Sequence, residues 1–163
     1  WAPRCALSHA RGRLTTLDHA THRGRRRHNP TDQELVEPEA MKVLGLDHVQ
    51  LAMPKGQEEL GRKFYGGLLG LEEIPKPAEL AARGGLWFQC GDIQLHLGVE
   101  DPFTPARKAH PGFRLAVYEA FVEKLTQAGL SVKPDISVPG MRRSFLEDPF
   151  GNRLELVDGQ GNG

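Results

Sequence analysis

Residues 145–158 read FLEDPFGNRLELVD. Asp, Pro, Gly and Asn are the residues that set turn dihedrals or hydrogen-bond their own backbone, so 148–152 predicts a turn. The turn joins a strand at 141–147 to a closing strand at 153–157. Side chains alternate across a strand, which places Leu154 and Leu156 on one face and Arg153, Glu155 and Val157 on the other. Reading back toward the N-terminus, a strand is expected at 130–134 and a left-handed cap at Gly129. Before them lies a helix at 118–128 whose Tyr118, Phe121, Val122 and Leu125 share a face, and a strand at 111–117. That order is βαβββ. It recurs upstream: a strand at 43–53, a helix at 55–69 with Leu60, Phe64 and Leu68 four apart, then strands at 71–74, 86–90 and 93–99, the last two joined by Gly91-Asp92. His48 and His110 are 62 residues apart and His96 and Glu155 are 59 apart, so the opening and closing strands repeat at nearly one period.

The expected fold is therefore α+β: two tandem βαβββ modules, about 43–103 and 108–158, in a domain spanning 41–158. Neither module of about 60 residues buries enough surface to stand alone, so the halves must pack on each other or across a dimer. The chain has 163 residues, 39% of them hydrophobic, and no run approaching the roughly 18 apolar residues of a membrane helix. Its 21 basic and 21 acidic residues cancel, which argues against a general nucleic-acid or membrane-surface binder. Two cysteines, Cys5 and Cys90, form no disulfide framework and fit a reducing, cytoplasmic compartment. Residues 1–40 stand apart, with seven Arg against five acids, four of the seven histidines, the RGRRRH run at 23–28 and no apolar period. They are expected to be a disordered extension upstream of a true start at Met41, and 159–163 a flexible tail.

Sorting the strands by face exposes the candidate chemistry. In 93–99, Ile93, Leu95, Leu97 and Val99 form an apolar face, and Gln94, His96 and Gly98 lie opposite. In 43–53, His48, Gln50 and Ala52 lie opposite Val49, Leu51 and Met53; around 110–117, His110, Gly112 and Arg114 lie opposite Phe113 and Leu115. His48, His96, His110 and Glu155 thus sit on the faces turned away from the helices. Imidazoles with a carboxylate suit a divalent first-row ion such as Zn, Ni, Fe, Mn or Co.

The segments LDHVQLAMP, FYGGLLGLEEI, GDIQLHLGVE, KAHPGFRLAV and FLEDPFGNRLELVD together resemble the vicinal oxygen chelate superfamily, over about residues 44–158. That superfamily includes glyoxalase I, fosfomycin-resistance enzymes, extradiol dioxygenases and bleomycin-resistance proteins. The resemblance implies paired βαβββ modules curving as a mixed sheet around a metal cleft. It implies His48, His110 and Glu155 as metal ligands, with Glu155 also the catalytic proton carrier. The position closing the first module, often Glu in glyoxalase I, falls here on His96, with Gln94 as the competitor. Either a three-His-plus-Glu set or a His48/His110/Glu155 facial set follows.

Arg143, Arg114, Gln50, Gln94 and Trp87 are the candidate substrate contacts, since Arg grips carboxylate or phosphate bidentately and Trp can wall a cleft. Arg142 is expected to be ion-paired surface, Phe88 core, Cys90 unreactive, and Tyr65 a flank of its helix. The resemblance implies a metal-dependent enzyme that stabilises an enediolate or oxyanion of a small substrate, of isomerase or lyase type. The alternatives are an Fe(II) ring-cleaving dioxygenase and a metal-free, bleomycin-resistance-like binder. A homodimer is the expected assembly.

Overall fold

The computed structural model describes residues 42–160; the expected extension 1–40 lies outside the described residues, as do Met41 and residues 161–163. From Val43 onward the described residues form one compact unit. Strands β1 (His48–Pro54), β2 (Glu72–Ile74), β3 (Leu86–Cys90) and β4 (Ile93–Glu100) make a sheet in the order β1-β4-β3-β2. Strands β5 (Gly112–Leu115), β6 (Lys133–Asp135), β7 (Arg143–Glu147) and β8 (Arg153–Asp158) make a second in the order β5-β8-β7-β6. In both, the first strand pairs parallel to the last and the other pairs are antiparallel. The tandem βαβββ repeat is thus present in connectivity and in strand polarity.

The first helix departs from the expected α-helix. Helix α1 (Glu58–Gly61) continues directly into a π-helical stretch, Arg62–Leu68, in which Leu69 N–H donates to the Phe64 carbonyl (2.8 Å). The wider turn buries the neighbours Phe64 and Tyr65 together, at 4% and 0% exposure, whereas Leu60, expected on the buried face, is 40% exposed. Gly61 is the reason. A Cβ there would lie 2.9 Å from Leu86 Cδ1 and 3.2 Å from Leu97 Cδ1, so the helix meets its sheet at a residue without a side chain and Leu60 turns outward. A further short helix, α2 (Ala78–Ala81), is absent from the sequence expectation.

Helix α3 (Tyr118–Gln127) follows its apolar stripe, with Leu125 fully buried and Tyr118, Phe121 and Val122 against the core. Gly129 adopts φ 86° as its cap, and Leu130 N–H closes back on the Leu125 carbonyl (3.1 Å). That closure delays the next strand. Leu130 and Val132 pack on the core as coil, and β6 forms only at Lys133–Asp135 instead of 130–134. Pro134 is tolerated there because β6 is an edge strand.

The 148–152 turn ties the two modules together. Asp148 and Asn152 are 5% and 3% exposed. Asp148 Oδ1 accepts from the Phe150 and Asn152 backbone N–H groups (2.9 and 2.8 Å), and its Oδ2 accepts from Asn152 Nδ2 (2.8 Å) and the Tyr65 hydroxyl (2.7 Å). Asn152 Nδ2 also reaches the Ala52 carbonyl at 2.8 Å. Tyr65 and Ala52 belong to the first module, so the turn motif bridges the repeat. Burial, then the Asp148 charge, pushes the Tyr65 hydroxyl far above its usual value, so it stays a donor.

Candidate functional site

Each sheet turns one face to the helices and the core, and the other carries the polar groups. On the first sheet, Gln50 pairs with His96 and His96 with Trp87 across the strands. The His96 ring is sandwiched: Trp87 stacks on it at 4.0 Å and 5°, and His48 at 4.4 Å and 19°. His96 Nε2 donates to Gln94 Oε1 at 2.9 Å, and the residue is 5% exposed. Burial, then the neighbouring His48, holds it below the usual imidazole value. His48 is exposed, and its Nδ1 donates to Asp47 Oδ1 at 2.7 Å.

On the second sheet, His110 precedes β5 and donates from Nδ1 to the Lys108 carbonyl (2.8 Å). Its Nε2 faces Glu155 Oε2 at 3.2 Å. Glu155 Oε1 accepts from Arg143 Nη1 (2.9 Å), and Arg143 Nη2 reaches Asp135 Oδ1 (3.2 Å) and Ser137 Oγ (2.9 Å). Hydrogen bonds from Ser137, then Arg143, hold Asp135 below the usual carboxylate range. Phe145 packs edge-on to His110 at 5.4 Å.

The registers show that the two pairs stand at equivalent positions of the repeat. Gln50, two residues after His48, pairs with His96; Gly112, two residues after His110, pairs with Glu155. The repeat therefore sets His96, and not Gln94, at the position of Glu155. Gly112 leaves space beside the carboxylate, since a Cβ there would lie 3.5 Å from Glu155 Oε2.

The four residues come together as two pairs, His48/His96 and His110/Glu155. Among the described residues of one chain, no group of three or more His, Cys, Asp or Glu stands close enough to hold a metal ion. The expected single cluster is thus not assembled within one chain. The donor chemistry nevertheless fits a divalent cation. His48 and His110 each hold Nδ1 against an oxygen acceptor, the arrangement that orients imidazoles to ligate a metal through Nε2. His96, capped on both ring faces, is the least accessible of the set.

Of the other candidates, Trp87 lies on the site face and Phe88 is fully buried. Gln50 is exposed and covers Gly98, where a Cβ would lie 2.8 Å from its Nε2. Arg114 is exposed on the Glu155 side of its sheet, opposite Val157. Arg143 is occupied by Glu155 and Asp135. Arg142 pairs with Glu119 and Asp158, not with the Glu147 or Asp148 that its place in the sequence suggests. Burial raises the Cys90 thiol pKa. Asp135 and Ser137 fall outside the strand expected at 130–134; with β6 at Lys133–Asp135, its alternation puts Asp135 beside Arg143.

A repeat of two such modules, each closing an imidazole pair or an imidazole–carboxylate pair on its polar face, defines a class of fold that comparison with solved structures identifies. A protein from Bacillus anthracis assigned to the glyoxalase family matches at 47% identity and TM-score 0.70, covering 72% of this chain and 96% of that one. The chain belongs to the glyoxalase family, within the vicinal oxygen chelate superfamily. Fold likeness extends to the fosfomycin resistance protein FosX of Listeria monocytogenes, at 19% identity and TM-score 0.58 over 73% of this chain and 96% of that one. It extends also to a glyoxalase/dioxygenase from Nostoc punctiforme, at 22% identity and TM-score 0.58 over 76% and 95%. No family model and no curated protein sequence matches the chain. Among the described residues, no helix is long and apolar enough to cross a membrane.

Proposed function

We propose that the protein is a small metal-dependent enzyme of glyoxalase type that acts on a small substrate with vicinal oxygens, in isomerase or lyase chemistry, as a cytoplasmic homodimer. The observation that carries this reading is the facing of His110 Nε2 and Glu155 Oε2 at 3.2 Å. With Nδ1–H committed to the Lys108 carbonyl, Nε2 is the ring atom set against the carboxylate, and a proton or a cation would join the two. His48 Nε2 is the matching donor on the other sheet. In the proposed dimer, His48 and His96 of one subunit would face His110 and Glu155 of the other, a grouping not found among the described residues of one chain.

A bound divalent ion would supply Lewis-acid stabilisation of negative charge developing on the substrate oxygens. The chain's own groups do the rest. Arg143 pins Glu155 Oε1, so Oε2 is the atom that takes and returns a proton. Trp87 holds the His96 ring, which in turn fixes His48. Gln50 and Gln94 supply amide groups on the same face.

A metal-free binding module is the second reading, and one observation favours it: both Glu155 oxygens already have protein partners, Arg143 and His110. Elemental analysis of purified, untagged protein separates the two. The enzyme reading expects bound metal, lost in both His110→Ala and Glu155→Ala while the circular-dichroism melt is preserved. Unchanged stoichiometry in both variants removes the ligand assignment, and protein that neither carries nor takes up metal is a binder. Iron as the bound metal transfers the reading to ring-cleaving oxygenation.

A further inference from the structure

The site face of the second sheet carries more cations than its acids engage. Cross-strand register aligns Lys133, Phe145 and Glu155 on one rung and Asp135, Arg143 and Val157 on the next, with Arg153 opposite Glu147. Arg143 is committed to Glu155 and Asp135. Arg153 behaves differently. Glu147 stands across the ladder from it, yet among the described residues no ion pair joins them. Its guanidinium lies instead 3.8 Å from the Phe145 ring centroid. A guanidinium stacked by its face keeps its N–H groups free around its edge for a planar oxyanion.

Arg153, Lys133 and Arg107 line one groove of about 890 Å³, with Phe145 in its wall. Neither Lys133 nor Arg107 forms an ion pair among the described residues. Arg107 reaches the groove on the linker between the modules, which backs onto the 148–152 turn: a Cβ on Gly151 would lie 3.3 Å from Pro105 Cγ. The acids of the groove are Asp135, which pairs with Arg143, and Glu147. Arg143 is shared between Asp135 and Glu155, so among the described residues the cations Arg107, Lys133, Arg143 and Arg153 outnumber the acids Asp135, Glu147 and Glu155 by one.

We propose that this groove is an oxyanion-binding subsite that takes a carboxylate or phosphoryl group of a small molecule, with Arg153 as the bidentate donor and Lys133 and Arg107 as point charges. Phe145 touches both Arg153 and His110, so an anion held there lies beside the His110–Glu155 pair. The substrate would then carry its anionic group at one end and its reacting oxygens at the other. That extension to substrate rests on the enzyme reading above; anion binding in the groove does not.

The test titrates the full chain, stripped of metal by chelator and dialysed, with inorganic phosphate and separately with acetate, followed by calorimetry. Saturable binding is expected in at least one arm, and the tighter arm tells phosphoryl from carboxylate. Arg153→Gln should weaken it about tenfold, the loss of one charge-assisted bidentate contact, Lys133→Gln several-fold, and Arg83→Gln, an exposed residue outside the groove, not at all. Arg153→Lys keeps the charge and stem but loses the fork, and serves if the Gln variant fails to fold. Absence of saturable binding in both arms, or equal affinity in wild type and the Arg153 and Lys133 variants, overturns the proposal. Anion binding that survives in a protein unable to take up metal would instead overturn the enzyme reading and leave the subsite standing.

Discussion

At the scale of single residues, two glycines in the first module set opposite tolerances. Gly85 has φ 82°, and a Cβ there would meet the Leu97 carbonyl oxygen at 2.2 Å. Gly85→Ala combines a left-handed penalty of roughly 1–2 kcal/mol with a clash against rigid backbone, so chemical denaturation should show a loss of at least about 2 kcal/mol. Gly98→Ala meets only the far end of Gln50, which can swing aside, and should cost less than about 1 kcal/mol. A similar loss in both would show that the backbone at Gly85 relaxes. Asp158 supplies the pH dependence. A hydrogen bond from the Gln160 N–H, then the Arg142 guanidinium, holds its carboxyl below the usual carboxylate range. A depressed folded pKa contributes stability above the unfolded value of about 3.9, and that stability is lost as pH falls through the folded pKa. Asp158→Asn should therefore unfold in less urea than wild type at pH 7, with the gap narrowing at pH 3. A gap that is constant with pH would leave the carboxyl without this role.

At the scale of elements, the 148–152 turn is a structural joint, although its residues are the most recognisable in the chain. The Asp148 carboxylate takes four hydrogen bonds, one of them from Tyr65, 83 residues away. Tyr65→Phe removes one charge-assisted bond from a buried carboxylate and should cost about 1.5–3 kcal/mol, with metal uptake unaffected. A melting temperature equal to wild type would mean that water replaces the hydroxyl. The helices divide instructively. Periodicity located α3 because its stripe keeps an α-helical spacing. It misassigned Leu60 because the π-helical turn after Gly61 changes which residues share a face, and a spacing rule assumes one pitch throughout.

At the scale of the whole molecule, the pairs His48/His96 and His110/Glu155 stand at equivalent positions on two sheets of one chain. If a second copy brings them together, His48→Ala and His110→Ala chains, each unable to bind metal, should regain about a quarter of wild-type uptake when refolded as an equal mixture, since about half of the dimers would be mixed and one of the two sites in each would be intact. Sedimentation should report the dimer in parallel. A dimer without recovery would place the ligands otherwise, and a monomer that binds metal would require the pairs to meet within one chain.

The sequence by itself determined the repeat, the strand faces and the residues on them, because these follow from alternation and turn chemistry, which act over a few residues. The placement of His48, His96, His110 and Glu155 on the polar faces was legible on that basis, and the family from the resemblance of the quoted segments. Tertiary structure alone decided the rest. The strand register made His96 the counterpart of Glu155, the Trp87–His96–His48 stack closed one imidazole from both sides, and Arg143 engaged Glu155. Packing at Gly61 turned the first helix, and the sheets held the two pairs apart. Each of these depends on which strands lie beside one another and at what offset, a matter of contacts between residues up to 100 positions apart, such as Asn152 with Ala52, that no local pattern encodes.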